Sequence, residues 1–389
     1  MAQTRRHQGI CEFWNGTSLI AGSTVFTRYW VYTENPARTG LERFEKKMSE
    51  SGSTFKRLIS MVTDGNSLSE SDAVNAFNIM MSGEATPSQI AGFLIALRIR
   101  GETVEEITGA ARIMREKALK VAAPEDAIDV VGTGGDGAGT LNISTATALV
   151  VAGTGVPVAK HGNHAASSKS GAADVLSELG INLQADVPTV ERAIREAGIG
   201  FLLAPSYHSS MRHVGPTRVE MGVRTIFNIL GPLANPASVK RLLVGTFAHE
   251  WVEPMAQVLG NLGTERAWVV HGADGLDELT ITGPSYVAEL SNGKVTKREL
   301  SPSDAGLPTA SLNDIKGGAP AENAQALREL LDGRKGAYRN ITLYGASAAL
   351  LIAGKVDTLI DGAALAAASI DDGKAANALA KLVEITNAS

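Results

Sequence analysis

A chain of 389 residues has room for two or three domains, and 44% hydrophobic against 20% charged residues is the composition of a globular protein with a large core. A net charge of −5 argues against an extended basic surface for nucleic acid, though not against a local patch. The single cysteine, Cys11, excludes a disulfide framework or cysteine metal site and suits a reducing cytoplasm, and no apolar run reaches the ~18 residues of a membrane span.

Residues 1–53 differ from the rest. They hold two of the four Trp and two of the six Tyr without helical or alternating periodicity. Arg5 and Arg6 look like the start of a targeting peptide, but no apolar stretch follows, and Glu12 and Glu34 are out of place in one. The expectation is a poorly ordered N-terminal extension with Met48 as a candidate initiator; a small added element is the alternative.

Residues 54–122 read as a small all-helical domain. Ser69-x-x-Asp72, Thr86-Pro87-Ser88-Gln89 and Thr103-x-x-Glu106 are three capping boxes. Ile90, Phe93, Leu94 and Leu97 then form one apolar stripe, and Ile107, Ala110, Ala111 and Met114 another. Gly65, Gly83 and Gly101 end the preceding turns.

From residue 123 on, strands and helices alternate, which predicts a larger α/β domain with a mainly parallel sheet. Strands are expected at Ile128–Val131, Val156–Ala159, Leu242–Gly245, Ala267–Val270 and Ile341–Tyr344, and helices at Ala172–Leu179, Thr189–Ala197 and Ser347–Ala353. Residues 300–318, rich in Ser, Pro, Asp and Gly, read as a loop.

The first strand runs into Gly132, Gly134, Gly135, Gly137 and Gly139, and Asn142, Ser144 or Thr145 can cap the helix that follows. Glycine allows positive φ and close approach of backbone to a ligand, and free N–H groups at a helix N-terminus attract anions. The second strand leads to Lys160, His161, Asn163, Ser167, Ser168 and Lys169. Two neighbouring strand ends carrying polar loops point to a phosphorylated substrate. The literal match Gly132-x-Gly134-x-x-Gly137 is not a dinucleotide site, because the second strand ends in Lys160 where an acid should hold the ribose. Nor is it a P-loop, since Thr140 and Leu141 follow Gly139 with no lysine. Asp136 inside the loop suggests hydroxyl groups or a cation accompanying the phosphate.

Two further groups bear chemistry. Asp277 and Glu278, in a glycine-rich turn after a strand, suit Mg²⁺, which takes one or two carboxylates and keeps waters; a solvated turn is the alternative. Between Ser206 and Pro236, Arg212, Arg218 and Arg224 could clamp a carboxylate or phosphate, or belong to a salt-bridged helix with Glu220.

The ordered pieces GTGGD at 132–136, NIST at 142–145, KHGN at 160–163, SSKSG at 167–171, RVEMGVRTIFNILGPLANP at 218–236 and DGLDE at 274–278 resemble the anthranilate phosphoribosyltransferase family, as does SGEATPSQIAGFLIALRIRGET at 82–103. The resemblance covers 54–389. It implies a nucleoside phosphorylase/phosphoribosyltransferase-like fold, with residues from about 186–224 returning to the helical domain, and a homodimer. It implies transfer of a phosphoribosyl group from phosphoribosyl pyrophosphate to the amine of anthranilate in tryptophan biosynthesis, with Mg²⁺. By similarity, Gly132, Gly135, Asp136, Thr140, Asn142, Ile143, Ser144, Thr145, Lys160, His161, Gly162, Asn163, His164, Ala165, Ala166, Ser167, Ser168 and Ala172 would bind the donor. Ser144, Asp277 and Glu278 would bind metal, and Gly132, Asn163 and Arg218 would bind anthranilate. Lys160 and His161 are the catalytic candidates, His161 for positioning. Two residues depart from the family pattern: His164 stands where arginine is usual after KHGN, and Met211 where many members have an aromatic residue. The competing readings are a nucleic-acid-binding relative without transferase activity, disfavoured by the net charge and DGLDE, and a pyrimidine nucleoside phosphorylase, disfavoured by RVEMGVRT.

Overall fold

The computed structural model describes residues 51–165 and 169–388; the expectations for residues 1–50 and for Ala166, Ser167 and Ser168 lie outside the described residues. The described chain opens with helices α1 (51–63), α2 (Glu70–Met81), α3 (Pro87–Arg100) and α4 (Val104–Lys117). The expected caps form: Ser69 Oγ accepts from the N–H of Asp72, and Thr86 and Gln89 bond reciprocally. Phe55, Phe77 and Phe93 stack in the bundle core, with ring centroids 5.3 and 6.2 Å apart, and Phe77 meets Phe227 at 5.6 Å. The third cap does more than start α4. Glu106 is fully buried, and its carboxylate accepts from the N–H groups of Leu68 (2.8 Å) and Thr103 (2.9 Å) and pairs with Arg100.

The remaining elements are β1 (Ile128–Gly132), α5 (Ile143–Gly153), β2 (Val158–Gly162), α6 (Ala172–Glu178), α7 (Val187–Glu196), β3 (Ile199–Leu203), α8 (Ala204–Tyr207), α9 (Gly215–Met221), α10 (Phe227–Leu230), β4 (Arg241–Gly245), α11 (Val252–Asn261), β5 (Arg266–Gly272), β6 (Ser285–Ser291), β7 (Lys294–Leu300), α12 (Pro320–Leu331), α13 (Ala337–Ile352), α14 (Leu359–Asp371) and α15 (Lys374–Asn387). The strand order is β3-β2-β1-β4-β5-β6-β7; the first five strands run parallel, and β6 and β7 add antiparallel. The expected helical domain and mainly parallel α/β domain are therefore both present. The chain reverses its direction of travel across the sheet between β1 and β4, the crevice where open α/β sheets hold ligands.

Each face of the sheet has its own core. On one side α5 is buried almost all round among α13, α14 and α15, as its apolar sequence demands. Small residues permit the contact: a Cβ on Gly153 would lie 2.6 Å from the N of Ala375, and one on Gly345 would lie 2.9 Å from Thr147 Oγ1. On the other side one continuous core runs from Phe55 through the bundle and residues 226–234 to Val131, Val244 and Val269 of the sheet. Polar ties reinforce it. Arg112 and Arg115 of α4 donate to the carbonyls of Asn261 (3.0 Å), Leu233 (2.6 Å) and Leu262 (3.4 Å), two of them at the C-terminus of α11 where cations are favoured. The 3₁₀ turn Ser209–His213 and α9 pack on α2 and α3, whereas α7 packs on β3 and α15.

Three local expectations are corrected. Ile341–Tyr344 lies inside α13, not in a strand: an apolar run that is buried on all sides carries no period to separate the two. β2 begins and ends later than expected, so Lys160 and His161 are strand residues. Pairing with β3, Lys160 opposite Phe201 and His161 opposite Leu202, carries the strand that far. Residues 300–318 contain the short turns Pro302–Ala305 and Leu312–Ile315 rather than plain loop.

Replacing Glu106 with Ala strands two N–H donors and the Arg100 guanidinium, so the variant is expected to unfold with about 3 kcal/mol less stability, read as a lower urea midpoint. A midpoint equal to that of the parent would deny the carboxylate this role.

Candidate active site

Gly132 and Gly245 close β1 and β4 side by side in register. Both face Asp277: a Cβ on Gly132 would collide with its carboxylate and one on Gly245 with its carbonyl. The missing side chains let the turn after β5 lie across the strand ends, and Asp277 Oδ2 accepts from the N–H of Gly134 at 2.7 Å. Asp274 braces that turn by accepting from Thr280 Oγ1 (2.6 Å) and Thr282 Oγ1 (2.7 Å).

The glycine loop is drawn out by positive φ at Gly134, Gly135, Gly137 and Gly139. Its start is fixed by Thr133, whose N–H donates to Gly245 O (2.9 Å) and whose Oγ1 accepts from the N–H of Phe247 (3.0 Å). Its end pairs with residues 315–317: Thr140 bridges Lys316, and Gly317 N–H donates to Gly139 O at 2.9 Å. Asp136 accepts from the N–H of Ala138 at 3.1 Å. Asn142 occupies the N-cap of α5 but does not cap it. Its Oδ1 instead accepts from Asn323 Nδ2 (2.8 Å), and Tyr338 OH donates to its carbonyl (3.1 Å). Ile143 and Thr145 are buried in the first turn of α5, with Thr145 Oγ1 unpartnered among the described residues.

Charges concentrate here. Burial, then the nearby Asp136, pushes the Asp277 carboxyl up to about 7, and burial and Asp277 hold Glu278 well above its usual range despite the N–H of Ser144. Lys160 interacts with both, is 2% exposed, and donates to Val130 O (2.6 Å) and Ser144 Oγ (3.3 Å). Burial lowers its pKa; Asp129, Glu278 and Asp277 oppose the shift. Asp129, fully buried in β1, accepts from the N–H of His161 (3.1 Å) and from Asn235 (2.7 Å), and burial raises it to about 6 against the pull of Lys160. Composition and motif did not single out Asp129, Asn235, Asn323 or Lys316; an acid inside an apolar strand was the available signal for the first.

His161 points to the other sheet face. Its Nδ1 lies 3.1 Å from Gly231 O, its Nε2 is buried without a partner among the described residues, and burial with His208 (ring centroids 5.2 Å apart) lowers its pKa to about 3. Gly162 follows at the strand end, where a Cβ would lie 2.6 Å from Phe201. Asn163 and His164 are exposed. Asn163 Oδ1 accepts from the N–H of His164, and His164 pairs with Asp174 at 2.6 Å. Asp174 also accepts from the N–H groups of Ala165 and Gly171, which folds that loop onto Ala172 and the start of α6. Arg218, on α9, is half-buried over the Phe227 ring (5.1 Å); among the described residues no side-chain or backbone acceptor bonds its guanidinium, and burial lowers its pKa. No three His, Cys, Asp or Glu side chains converge into a closed metal cage among the described residues. Asp277 and Glu278, their pKa values raised by burial and then by neighbouring carboxyls, are nevertheless, with Ser144 Oγ, hard oxygen donors of the kind Mg²⁺ takes while keeping waters.

Comparison with known proteins agrees with this geometry. The model of the glycosyl transferase family, a/b domain, matches residues 124–376, and that of the glycosyl transferase family, helical bundle domain, matches 56–118. The anthranilate phosphoribosyltransferase of Rhodospirillum rubrum is 61% identical over 334 residues, covering 86% of this chain and 96% of that protein. That of Parvibaculum lavamentivorans is 59% identical over 333 residues, covering 86% and 98%. The crystal structure of the Thermus thermophilus anthranilate phosphoribosyltransferase superposes with a TM-score of 0.81 at 44% identity, over 85% of this chain and 99% of that one. The Saccharomyces cerevisiae enzyme in complex with PRPP and Mg gives 0.78 at 28% identity, over 87% and 98%. Two matching domain models, and relatives of well over half identity spanning nearly their whole length, show that the chain belongs to the anthranilate phosphoribosyltransferase family.

Proposed function

We infer that the chain transfers the phosphoribosyl group of phosphoribosyl pyrophosphate to the amine of anthranilate, releasing pyrophosphate, as a step of tryptophan biosynthesis. The observation that carries the reading is the Asp277 turn seated on Gly132 and Gly245 and bonded to Gly134, which joins a carboxylate pair to a phosphate-type loop at the switch point of the sheet. Family membership supports it.

Loss of pyrophosphate leaves oxocarbenium character at C1 of the ribose. Asp277 and Glu278, with the Ser144 hydroxyl, would hold Mg²⁺, which when bound supplies positive charge to the departing group. Lys160 adds fixed charge in a dry setting where charge acts strongly. The loop N–H groups and the segment from Lys160 to Ala172 grip the donor's phosphates. Gly132, Asn163 and Arg218 bind the acceptor; the half-buried Arg218, without an acceptor of its own among the described residues, suits an anthranilate carboxylate. An aryl amine is already neutral at pH 7, so no strong base is required. His161, its pKa lowered to about 3 by burial and His208, is a weak base and serves in positioning rather than proton transfer. His164 is already paired with Asp174, so it contributes less positive charge to the donor site than an arginine there would. Family resemblance suggests a homodimer through the bundle, and a cytoplasmic location goes with a donor too highly charged to cross a membrane unaided.

The test is a fluorescence assay of anthranilate consumption that requires both phosphoribosyl pyrophosphate and Mg²⁺; consumption independent of the donor would refute the reading. Arg218→Ala is expected to raise the KM for anthranilate about tenfold or more while the donor KM changes little, since a charge-assisted contact to one substrate is lost. Equal effects on both would remove the carboxylate role. Asp277→Asn combined with Glu278→Gln should weaken Mg²⁺ binding in calorimetry with the donor present and lower kcat by about a hundredfold or more. An unaltered magnesium titration would count against these ligands.

A further inference from the structure

Arg224 is exposed, yet it is one of the most engaged side chains around the site. Its Nη2 donates to the carbonyl of Gly135, and its guanidinium lies over the Phe247 ring with Cζ 4.3 Å from the centroid. Phe247 is itself tied to the loop by its N–H to Thr133 Oγ1. On the other side, Arg98 of α3 donates to the Arg224 carbonyl at 2.8 Å. A side chain held by a ring and a carbonyl, on backbone tied to a neighbouring helix, has little freedom left, unlike an ordinary surface arginine.

The contact determines which way the loop faces. A trans peptide directs its N–H opposite to its C=O. The peptide after Gly135 turns about ψ of Gly135 and φ of Asp136, and Gly135, at positive φ and without a Cβ, leaves its own side of the hinge unrestrained, so the partner of its carbonyl sets the direction. Arg224 draws the Gly135 carbonyl toward itself and so turns the Asp136 N–H to the opposite side. Lys316 acts alike on the far limb, donating to Ala138 O at 2.5 Å and so directing the Gly139 N–H away. The Asp136 and Gly139 N–H groups are thus turned away from Arg224 and Lys316, and loop N–H groups not spent on carbonyls can serve an anion.

We propose that Arg224 is a positioning residue for the phosphoribosyl pyrophosphate site: stacked on Phe247 and braced by Arg98, it fixes the peptide orientation of the glycine loop without touching the donor. The proposal rests on the transferase reading and adds a role that the motifs, which left Arg224 between a clamp and a salt-bridged helix, did not contain. Its segment also carries Arg218, shortly upstream on α9, so the helix expected to hold the acceptor leads directly into the brace for the donor loop.

The experiment measures steady-state kinetics of the full chain with both substrates and saturating Mg²⁺, for the parent, Arg224→Ala and Phe247→Leu, with thermal midpoints as a check on folding. Arg224→Ala is expected to raise the donor KM about tenfold, with kcat and the anthranilate KM within about threefold. Phe247→Leu, which changes no charge, is expected to raise the donor KM in the same direction by about threefold, because it frees the guanidinium. A donor KM unchanged in Arg224→Ala overturns the proposal. So does a rise in Arg224→Ala with none in Phe247→Leu, which would mean that the bare charge attracts the donor. A joint fall in kcat and both affinities with a lowered midpoint would make the role structural and also overturn it. A parent chain with no turnover would instead overturn the transferase reading itself.

Discussion

The site depends on one contact, the Asp277 turn lying across the ends of β1 and β4. It requires two glycines in register on neighbouring parallel strands, because a methyl group on either would push the turn away. Once the turn is seated, Asp277 reaches the glycine loop through Gly134, and Glu278 reaches the first turn of α5. Loop, helix terminus and acidic pair thus become one object, although their residues lie far apart in the sequence.

That arrangement carries an electrostatic load. Three carboxylates, Asp136, Asp277 and Glu278, crowd a partly desolvated place, and isolated charges there would be costly. Opposite charge is close by: Lys160 interacts with Asp129, Glu278 and Asp277, and Asp129 is itself satisfied by Asn235 and the His161 N–H. Carboxyl groups crowded in this way are hard oxygen donors of the kind a divalent cation takes.

Much of this was legible in the sequence because it is written in short-range signals. The capping boxes at Thr86 and Thr103, the N-cap at Ser69 and the glycine run are local and form as their spacing implies, whereas Asp72 turns to the Ser69 hydroxyl and Arg57 instead of closing a reciprocal box, and the Asn142 side chain does not cap. Long-range features were not legible. Asn142 gives up capping because Asn323, 181 positions away, claims its oxygen. Lys160 belongs to a strand because β3 pairs with it, and β3 itself, IGFLL, is an apolar run of five with no polar contrast. The β6–β7 hairpin left a signal that could have been used: Asn292-Gly293, both at positive φ, is the dipeptide of a tight two-residue turn. Ile341–Tyr344 misled because a helix buried on every side has no period to read.

The core that runs uninterrupted from Phe55 to the sheet has a practical meaning for anyone dissecting the molecule. Two family models abut near residue 120 and invite cutting there, yet neither fragment would be self-sufficient. An isolated bundle would bare Phe77, which normally touches Phe227, and an isolated sheet would bare Val131, Val244 and Val269. A protease that nicked the connection would leave a noncovalent pair, held by apolar contact and by α4 arginines on the end of α11, rather than two soluble pieces.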